Sequence, residues 1–158
     1  MGGLMYTRIL VPLENTRYDA AIIAHVSALA KHCGASVVLI HVADGWVARN
    51  ANQLDLRESE EMKQDMAYLD RLTVELENAG VSAEGVLAGG DPTAEICAAA
   101  EREHCDLIAM STHGHGFVQD VIRGSVANEV RHTTHVPVLL VRGASAESPK
   151  PGAESRDS

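Results

Sequence analysis

D-L-I-A-M-S-T-H-G-H-G-F-V-Q-D-V-I-R-G-S-V-A, residues 106–127, joins a short apolar run to a polar stretch that contains glycines. Residues 107–110 have the length and composition of a strand buried on both faces. The residues after them predict a loop, and Val126 and Val130 at helical spacing predict a helix with Ser125 as its N-cap. A strand, a glycine-containing loop and a helix start are together typical of an anion site.

Gly124 and Ser125 are the strongest candidates for contact with a phosphate. A serine at a helix start can offer its hydroxyl and its backbone N–H to a phosphate oxygen, and glycine lets the backbone approach closely. The alternative is structural: Gly124 ends a short helical piece, and Ser125 only caps the next helix. These two residues by themselves leave both interpretations open.

The rest of the chain predicts strict alternation of strands and helices. Predicted strands are 7–13, 35–42, 81–88, 107–110 and 137–142, and predicted helices are 18–33, 58–79, 92–104 and 126–134. Gly34 predicts the end of the first helix, and Asp91 followed by Pro92 predicts the start of the third. Gly89 and Gly90 predict a turn after the third strand, and Met62 and Met66 are expected to share the buried face of the long second helix with its leucines. This alternation predicts an α/β fold in which helices cover both faces of a parallel sheet.

Composition favours a single cytoplasmic domain. The chain has 158 residues, 46% of them hydrophobic, and a formal net charge of −9, which disfavours nucleic acid and anionic membrane surfaces as partners. There is no apolar run of membrane-spanning length and no signal-peptide pattern. Residues 1–143 are expected to form the domain and residues 144–158 a disordered tail. Cys33, Cys97 and Cys105 are expected to be small buried hydrophobes.

The signature resembles that of the universal stress protein family, which reads Gly, two residues, Gly, nine residues, Gly, then Ser or Thr. Gly114, Gly124 and Ser125 match it, and Ser111 stands at the first glycine position. The resemblance covers about residues 6–142. It implies an open five-stranded parallel sheet of order 3-2-1-4-5, of the Rossmann-like, adenine-nucleotide alpha-hydrolase-like type.

The resemblance also implies a site for ATP or AMP, with Mg²⁺. In open parallel sheets, ligands bind beyond the carboxyl ends of the strands where the winding reverses. That rule places the loops after strands one and four, together with His41 and Val42, around one crevice. The implied nucleotide contacts are Pro12, Leu13, Glu14, Val42, Met110, Ser111, His113, Gly114, Gly124, Ser125, Val126 and Ala127. Glu14 stands where the family usually has Asp, so a longer acid would meet the ribose or adenine.

The predicted fifth strand, residues 137–142, is implied to lie at the sheet edge. An exposed apolar edge favours aggregation unless something covers it. Pairing with the same strand of a second copy covers it symmetrically, so a homodimer is expected.

Other activities lack their motifs. No Gly-x-Gly-x-x-Gly follows the first strand, none of the three lysines lies in a P-loop, and the histidine pairs have no Cys or acid at metal-ligand spacing. No nucleophile with an adjacent base is evident, so an enzyme is not expected, although slow incidental ATP hydrolysis stays open.

Two hypotheses remain. The first is a nucleotide-binding stress or signalling protein that acts as a homodimer on a protein partner the sequence does not identify. The second is a dimeric scaffold or protective protein of the same family that binds no nucleotide, as Ser111 and Glu14 suggest. Gly124→Asp should abolish nucleotide binding under the first hypothesis and leave function untouched under the second.

Overall fold

The structure is a computed structural model that describes residues 5–44, 55–113 and 118–143, with side chains for 5–43, 60–112 and 126–143. Five strands and four helices alternate: β1 (Arg8–Leu13), α1 (Asp19–Cys33), β2 (Ser36–Asp44), α2 (Asp55–Asn78), β3 (Ala83–Gly90), α3 (Pro92–Arg102), β4 (Leu107–His113), α4 (Val118–Thr133) and β5 (Val138–Gly143). All strand pairs are parallel, and the order is β3-β2-β1-β4-β5. The predicted α/β fold and strand order are confirmed.

The central strands are buried on both faces because helices pack on both sides of the sheet. In β1, Ile9 and Val11 face the core under α1 and α2, whereas Leu10 faces the core under α3 and α4. All three side chains are fully buried. Continuous apolar runs, rather than alternating ones, are what such a two-sided burial requires.

Two helix ends follow their predicted signals. Gly34 takes a left-handed conformation (φ 69°) as the C-cap of α1, which glycine adopts without strain. Asp91 caps α3 by accepting a hydrogen bond from the Ala94 N–H at 2.9 Å, and Pro92 occupies the first helical position.

Two strands run further than their sequence pattern predicted. The prediction that β4 ends at Met110 is wrong, because Ser111, Thr112 and His113 continue the ladder with β5. The predicted turn at Gly89 and Gly90 is also wrong, because both pair with the end of β2. Strand pairing satisfies these backbone groups whether or not their side chains are apolar.

The predicted start of the last helix at Ser125 is wrong. Helix α4 begins at Val118, so Gly124 and Ser125 lie within it rather than at its N-terminus. The sequence spaces Val118, Ile122, Val126 and Val130 four residues apart, which suits one continuous helix. A glycine inside a helix costs only about 1 kcal/mol, which such a periodic face can offset.

Helix α2 buries only part of its predicted apolar face. Leu69, Leu72 and Leu76 are buried, but Met62 and Met66 are 48% and 36% exposed, so the prediction that they share the core is wrong. In this part of α2, Asp65 and Tyr68 face the loop between β1 and α1, where they bond to Asn15 and Asp19.

Several predictions fall on other parts of the chain. Residues 45–54, Gly114 and the predicted tail 144–158 lie outside the described residues.

The three cysteines are free; Cys33 and Cys105 are buried and Cys97 is half-buried. Among the described helices, none is long and apolar enough to cross a membrane.

Candidate functional site

A crevice of about 430 Å³ opens at the carboxyl ends of β1, β2 and β4. Its volume lies within the range of small-molecule sites in proteins. The strand order reverses direction between β1 and β4, so the crevice occupies the switch point at which open parallel sheets bind ligands. It is lined by Pro12, Leu13, Glu14, Asp19, Ile40, His41, Val42, Pro92, Ile96, Met110, Ser111 and Val126.

Seven of the twelve predicted contact residues line this crevice: Pro12, Leu13, Glu14, Val42, Met110, Ser111 and Val126. Ala127 does not line it and is instead buried in the core under α4. His113 ends β4, and Gly124 and Ser125 lie in α4, but their side-chain surroundings are outside the described part of the chain, as is Gly114. That any of these residues contacts a nucleotide stays a prediction.

The inner wall of the crevice is apolar. Ile40 and Met110 from the sheet and Ile96 from α3 are buried and pack in one cluster, and Val42 and Val126 pack against it. The sequence interpretation missed Ile40, Pro92 and Ile96. Pro92 and Ile96 belong to the start of α3, which packs against β2 and β1 in the folded protein. An apolar wall of this kind suits a flat aromatic base.

The polar groups of the crevice are mainly acidic. Glu14 and Asp19 carry carboxylates, and His41 is the only basic side chain among the described lining residues. No lysine or arginine therefore faces the crevice within the described ranges. A ligand with several phosphate charges needs a cation from elsewhere to offset these acids.

Asp19 organises the loop between β1 and α1. Its buried carboxylate accepts hydrogen bonds from the backbone N–H groups of Glu14 (3.3 Å), Asn15 (2.8 Å) and Thr16 (3.3 Å). The Tyr68 hydroxyl on α2 donates a fourth bond to the same carboxylate. Burial and the bond to Asp19 together raise the pKa of Tyr68, so this phenol stays a donor. The sequence interpretation missed Asp19, although an acid in a first helical turn is a capping signal.

A second polar cluster joins the same loop to α2. His41 Nδ1 lies 2.9 Å from the Leu13 carbonyl oxygen, and His41 Nε2 lies 3.6 Å from Asp65 Oδ2. A carbonyl can only accept, so Nδ1 carries the proton of that bond. Asn15 Nδ2 lies 3.5 Å from the other Asp65 oxygen, and Asn15 itself has a left-handed backbone (φ 59°) that asparagine tolerates well.

Ser111 contributes an unusual hydroxyl at the end of β4. Its Oγ is buried and has no hydrogen-bond partner among the residues that the structure describes. A Cβ built on Gly143, at the end of the neighbouring strand β5, would lie only 3.3 Å from that oxygen and 3.1 Å from Tyr18. The serine therefore occupies a crowded position where its hydroxyl is desolvated without compensation.

A side-chain bond connects the two helices on the α3 face of the crevice. Thr93, buried near the start of α3, donates to Glu129 Oε2 of α4 at 2.8 Å. Within the described segments, no three His, Cys, Asp or Glu side chains lie close enough together to hold a metal ion.

Residues 5–142 match the model of the universal stress protein family. Universal stress protein MJ0577 of Methanocaldococcus jannaschii is 28% identical over 160 residues, covering 89% of this chain and 97% of that protein. A universal stress protein of Methanothermobacter thermautotrophicus is 32% identical over 143 residues, covering 87% and 97%.

Solved structures agree with this relationship. The structure of MJ0577 superposes with a TM-score of 0.73 at 30% identity, covering 90% of this chain and 99% of the other. A universal stress protein solved in complex with cAMP (TM-score 0.67, 16% identity, 88% and 98% coverage) and one from Archaeoglobus fulgidus in complex with dAMP (0.61, 19%, 86% and 98%) share the fold. The chain therefore belongs to the universal stress protein family.

Proposed function

We propose that the carboxyl-end crevice binds an adenine nucleotide, ATP or AMP, and that the protein is a nucleotide-binding stress-response or signalling protein of the cytoplasm. The observation that carries this proposal is the position of seven predicted nucleotide contacts around one crevice of ligand size. Family members solved with cAMP and dAMP support the choice of an adenine nucleotide.

The walls of the crevice suggest how such a ligand would lie. The apolar surface of Ile40, Ile96 and Met110 suits the adenine ring, and Glu14 at the rim can accept a hydrogen bond from a ribose hydroxyl. The phosphates would extend along the end of β4 toward α4. No nucleophile is assigned, so hydrolysis of ATP would be slow and incidental to binding.

Charge distinguishes the two candidate nucleotides. The described lining presents two carboxylates and no lysine or arginine, so the triphosphate of ATP would meet unfavourable charge at the rim. Bound Mg²⁺ offsets much of that charge, as it does in other nucleotide sites. We therefore expect ATP affinity to depend strongly on magnesium and AMP affinity to depend on it weakly.

A matched pair of variants tests the site. Val42 lines the crevice and Val136 lies at the opposite end of the same core cluster, and both are half-buried. Val42→Trp fills the crevice, so the Kd for AMP and magnesium-ATP should rise by more than about thirtyfold, equivalent to about 2 kcal/mol. Val136→Trp should leave both Kd values within about twofold, because it is remote from the ligand.

Calorimetric titration of the nucleotide-stripped proteins gives the answer. Binding that is lost in Val42→Trp and kept in Val136→Trp supports the proposal. Equal affinities in the wild type and Val42→Trp would place the nucleotide elsewhere, and the crevice assignment would then be wrong.

We also propose that the protein is a homodimer paired through the β5 edge. Strand β5 is the last in the sheet, and Leu140 on it is 41% exposed. Pairing of two β5 strands would cover this apolar edge and its free ladder groups. Leu140→Lys should shift the protein to monomers in sedimentation velocity, whereas Val74→Lys, at an apolar position on α2 that is 53% exposed, should leave the dimer intact. Dimers that persist in Leu140→Lys would exclude this edge as the interface.

The second candidate is a dimeric scaffold or protective protein that binds no nucleotide. The acidic rim and the continuation of α4 through Gly124 and Ser125 favour it, because a helix interior offers no unpaired N–H groups to phosphate. A dimer that binds neither ATP nor AMP at millimolar ligand, with magnesium present, would establish this alternative.

A further inference from the structure

The loop after β1 is held by a single buried side chain. Three consecutive N–H groups, those of Glu14, Asn15 and Thr16, converge on the carboxylate of Asp19, which is only 4% exposed. A carboxylate that accepts several N–H bonds fixes the backbone that donates them. The conformation of the loop therefore depends on the orientation of Asp19.

Helix α2 fixes that orientation from outside the crevice. The Tyr68 hydroxyl donates to Asp19 Oδ2, the oxygen that also accepts from Asn15 and Thr16. Tyr68 is not among the residues that line the crevice. It reaches the site only through Asp19, so any effect of its hydroxyl on a ligand is indirect.

Asp65, one turn before Tyr68 on α2, holds the same loop at a second point. Its carboxylate oxygens face Asn15 Nδ2 at 3.5 Å and His41 Nε2 at 3.6 Å. His41 in turn binds the Leu13 carbonyl, the last residue of β1. Asp65 and Tyr68 lie three residues apart and thus on one face of the helix. That face contacts the loop directly at Asn15 and reaches the backbone around it through Asp19 and His41.

We propose that Tyr68 and Asp65 of α2 are positioning residues that set the conformation of residues 14–16 and thereby the affinity of the crevice. The affinity part rests on the proposed nucleotide function, because Glu14 at the rim is the residue assigned to the ribose. Loss of the Tyr68 hydroxyl frees Asp19 to reorient, so the loop samples more conformations. A ligand that needs one of them then binds more weakly.

Tyr68→Phe is the direct test, and Tyr6→Phe is its control. Both tyrosines pack against the core cluster under α1 and α2, but Tyr6 precedes β1 at the amino end of the sheet. Amide hydrogen exchange by NMR reports each loop residue separately. In Tyr68→Phe, amide exchange at Glu14, Asn15 and Thr16 should become about tenfold faster. The loss of one charge-assisted hydrogen bond changes the equilibrium between the closed and open loop by about that factor. In Tyr6→Phe the exchange should not change.

The urea dependence of exchange separates a local opening of the loop from global unfolding. Amides that exchange through a local opening do so almost independently of urea, whereas amides that need global unfolding exchange faster as urea is added. Exchange at Glu14, Asn15 and Thr16 should therefore be independent of urea and still be faster in Tyr68→Phe. Loop amides that exchange only with global unfolding, at the rates of Ile9 and Leu10, would mean that Tyr68 only stabilises the fold, and the proposal would be wrong. Unchanged loop exchange would also overturn it.

A double-mutant cycle tests the route through Asp19. If Tyr68 acts on the loop only through that carboxylate, Tyr68→Phe introduced into Asp19→Ala, which has no acceptor, should accelerate loop exchange by less than about twofold. A full tenfold acceleration in the Asp19→Ala background would show that the hydroxyl acts by another path.

Titration with AMP supplies the ligand measurement. The Kd should rise about tenfold in Tyr68→Phe and stay within about twofold in Tyr6→Phe. An unchanged Kd together with faster loop exchange would overturn the positioning role. If the wild type binds neither AMP nor magnesium-ATP, the proposed function fails, and the exchange rates alone decide whether α2 holds the loop.

Discussion

The two ends of the sheet differ in how their polar side chains are paired. At the amino end, Arg8 donates to the Glu103 carbonyl (2.8 Å), the Ser36 hydroxyl (3.2 Å) and the Glu103 carboxylate (3.1 Å), and it also pairs with Glu84. One guanidinium thus connects the starts of β1, β2 and β3 with the end of α3. Its planar array of donors is suited to several acceptors at once.

The carboxyl end has the opposite character. Its crevice is lined by carboxylates without a lysine or arginine among the described residues, and the Ser111 hydroxyl there has no partner in the described part of the chain. One loop residue, Asn15, has a left-handed backbone. The amino end therefore stabilises the fold through paired polar groups. The carboxyl end carries a buried hydroxyl without a described partner and a left-handed asparagine, which are features found at functional sites.

Arg8→Ala, at the amino end of the sheet, is expected to have the largest effect on the free energy of unfolding. The change removes the shared donor of four hydrogen bonds and should lower the free energy of unfolding by about 2 kcal/mol, measured by urea denaturation. The free energy of unfolding of Arg8→Lys should lie between those of the wild type and Arg8→Ala, because an ammonium group cannot reproduce the planar set of guanidinium donors. The Kd for AMP should stay within about twofold in both variants. A large loss of affinity would mean that the two ends are energetically coupled.

The second prediction compares two serine hydroxyls, one at each end of the sheet. Their removal should change the free energy of unfolding in opposite directions. Ser111→Ala removes a buried hydroxyl without a described partner and should raise the free energy of unfolding by about 1 kcal/mol. Ser36→Ala removes a hydroxyl that accepts from Arg8 and should lower the same free energy by about 0.5–1 kcal/mol. Destabilisation by Ser111→Ala would show that its hydroxyl has a partner after all.

The smallest effect concerns acid stability. Burial acts to raise the pKa of Asp106, but hydrogen bonds from the Thr7 and Arg8 N–H groups and the Thr7 hydroxyl outweigh it and hold the pKa below the usual 3.8. A pKa that is lower in the folded state gives stability that is present above pH 4 and is lost as pH falls through the folded value.

Asp106→Asn should therefore lower the free energy of unfolding at pH 7 by about 0.5–1 kcal/mol. It should also reduce the acid loss of stability between pH 4 and pH 2. Urea titrations at several pH values measure both effects. An acid slope as steep as that of the wild type would assign acid sensitivity to other carboxylates.

The fold was predictable where local patterns agree with packing. The buried runs of β1, β2 and β4 and the capping residues Gly34 and Asp91 marked their elements directly. The ends of β4 and the start of α4 were not predictable in this way. Pairing with β5 extends β4 through Ser111. Helix α4 continues through Gly124 because the residues on either side of it follow the helical pattern. Tertiary context overrides such single-residue signals.

The site was predictable where the switch-point rule and the resemblance gave positions. Val42 and Met110 were expected at the crevice and line it, whereas Asp19 and Ile96 were not expected there. Their roles depend on how α1 and α3 pack over the strand ends, and a sequence pattern does not contain that geometry.

The most direct test of the central claim is an NMR titration of the protein with AMP and with magnesium-ATP, in which every assigned backbone amide is followed. We expect chemical-shift changes at Leu13, Val42 and Ser111, which line the crevice, and none at Ser36 or Asp106 at the amino end. Changes centred on the amino end, or no changes at millimolar nucleotide, would contradict the assignment of the carboxyl-end crevice as a nucleotide site.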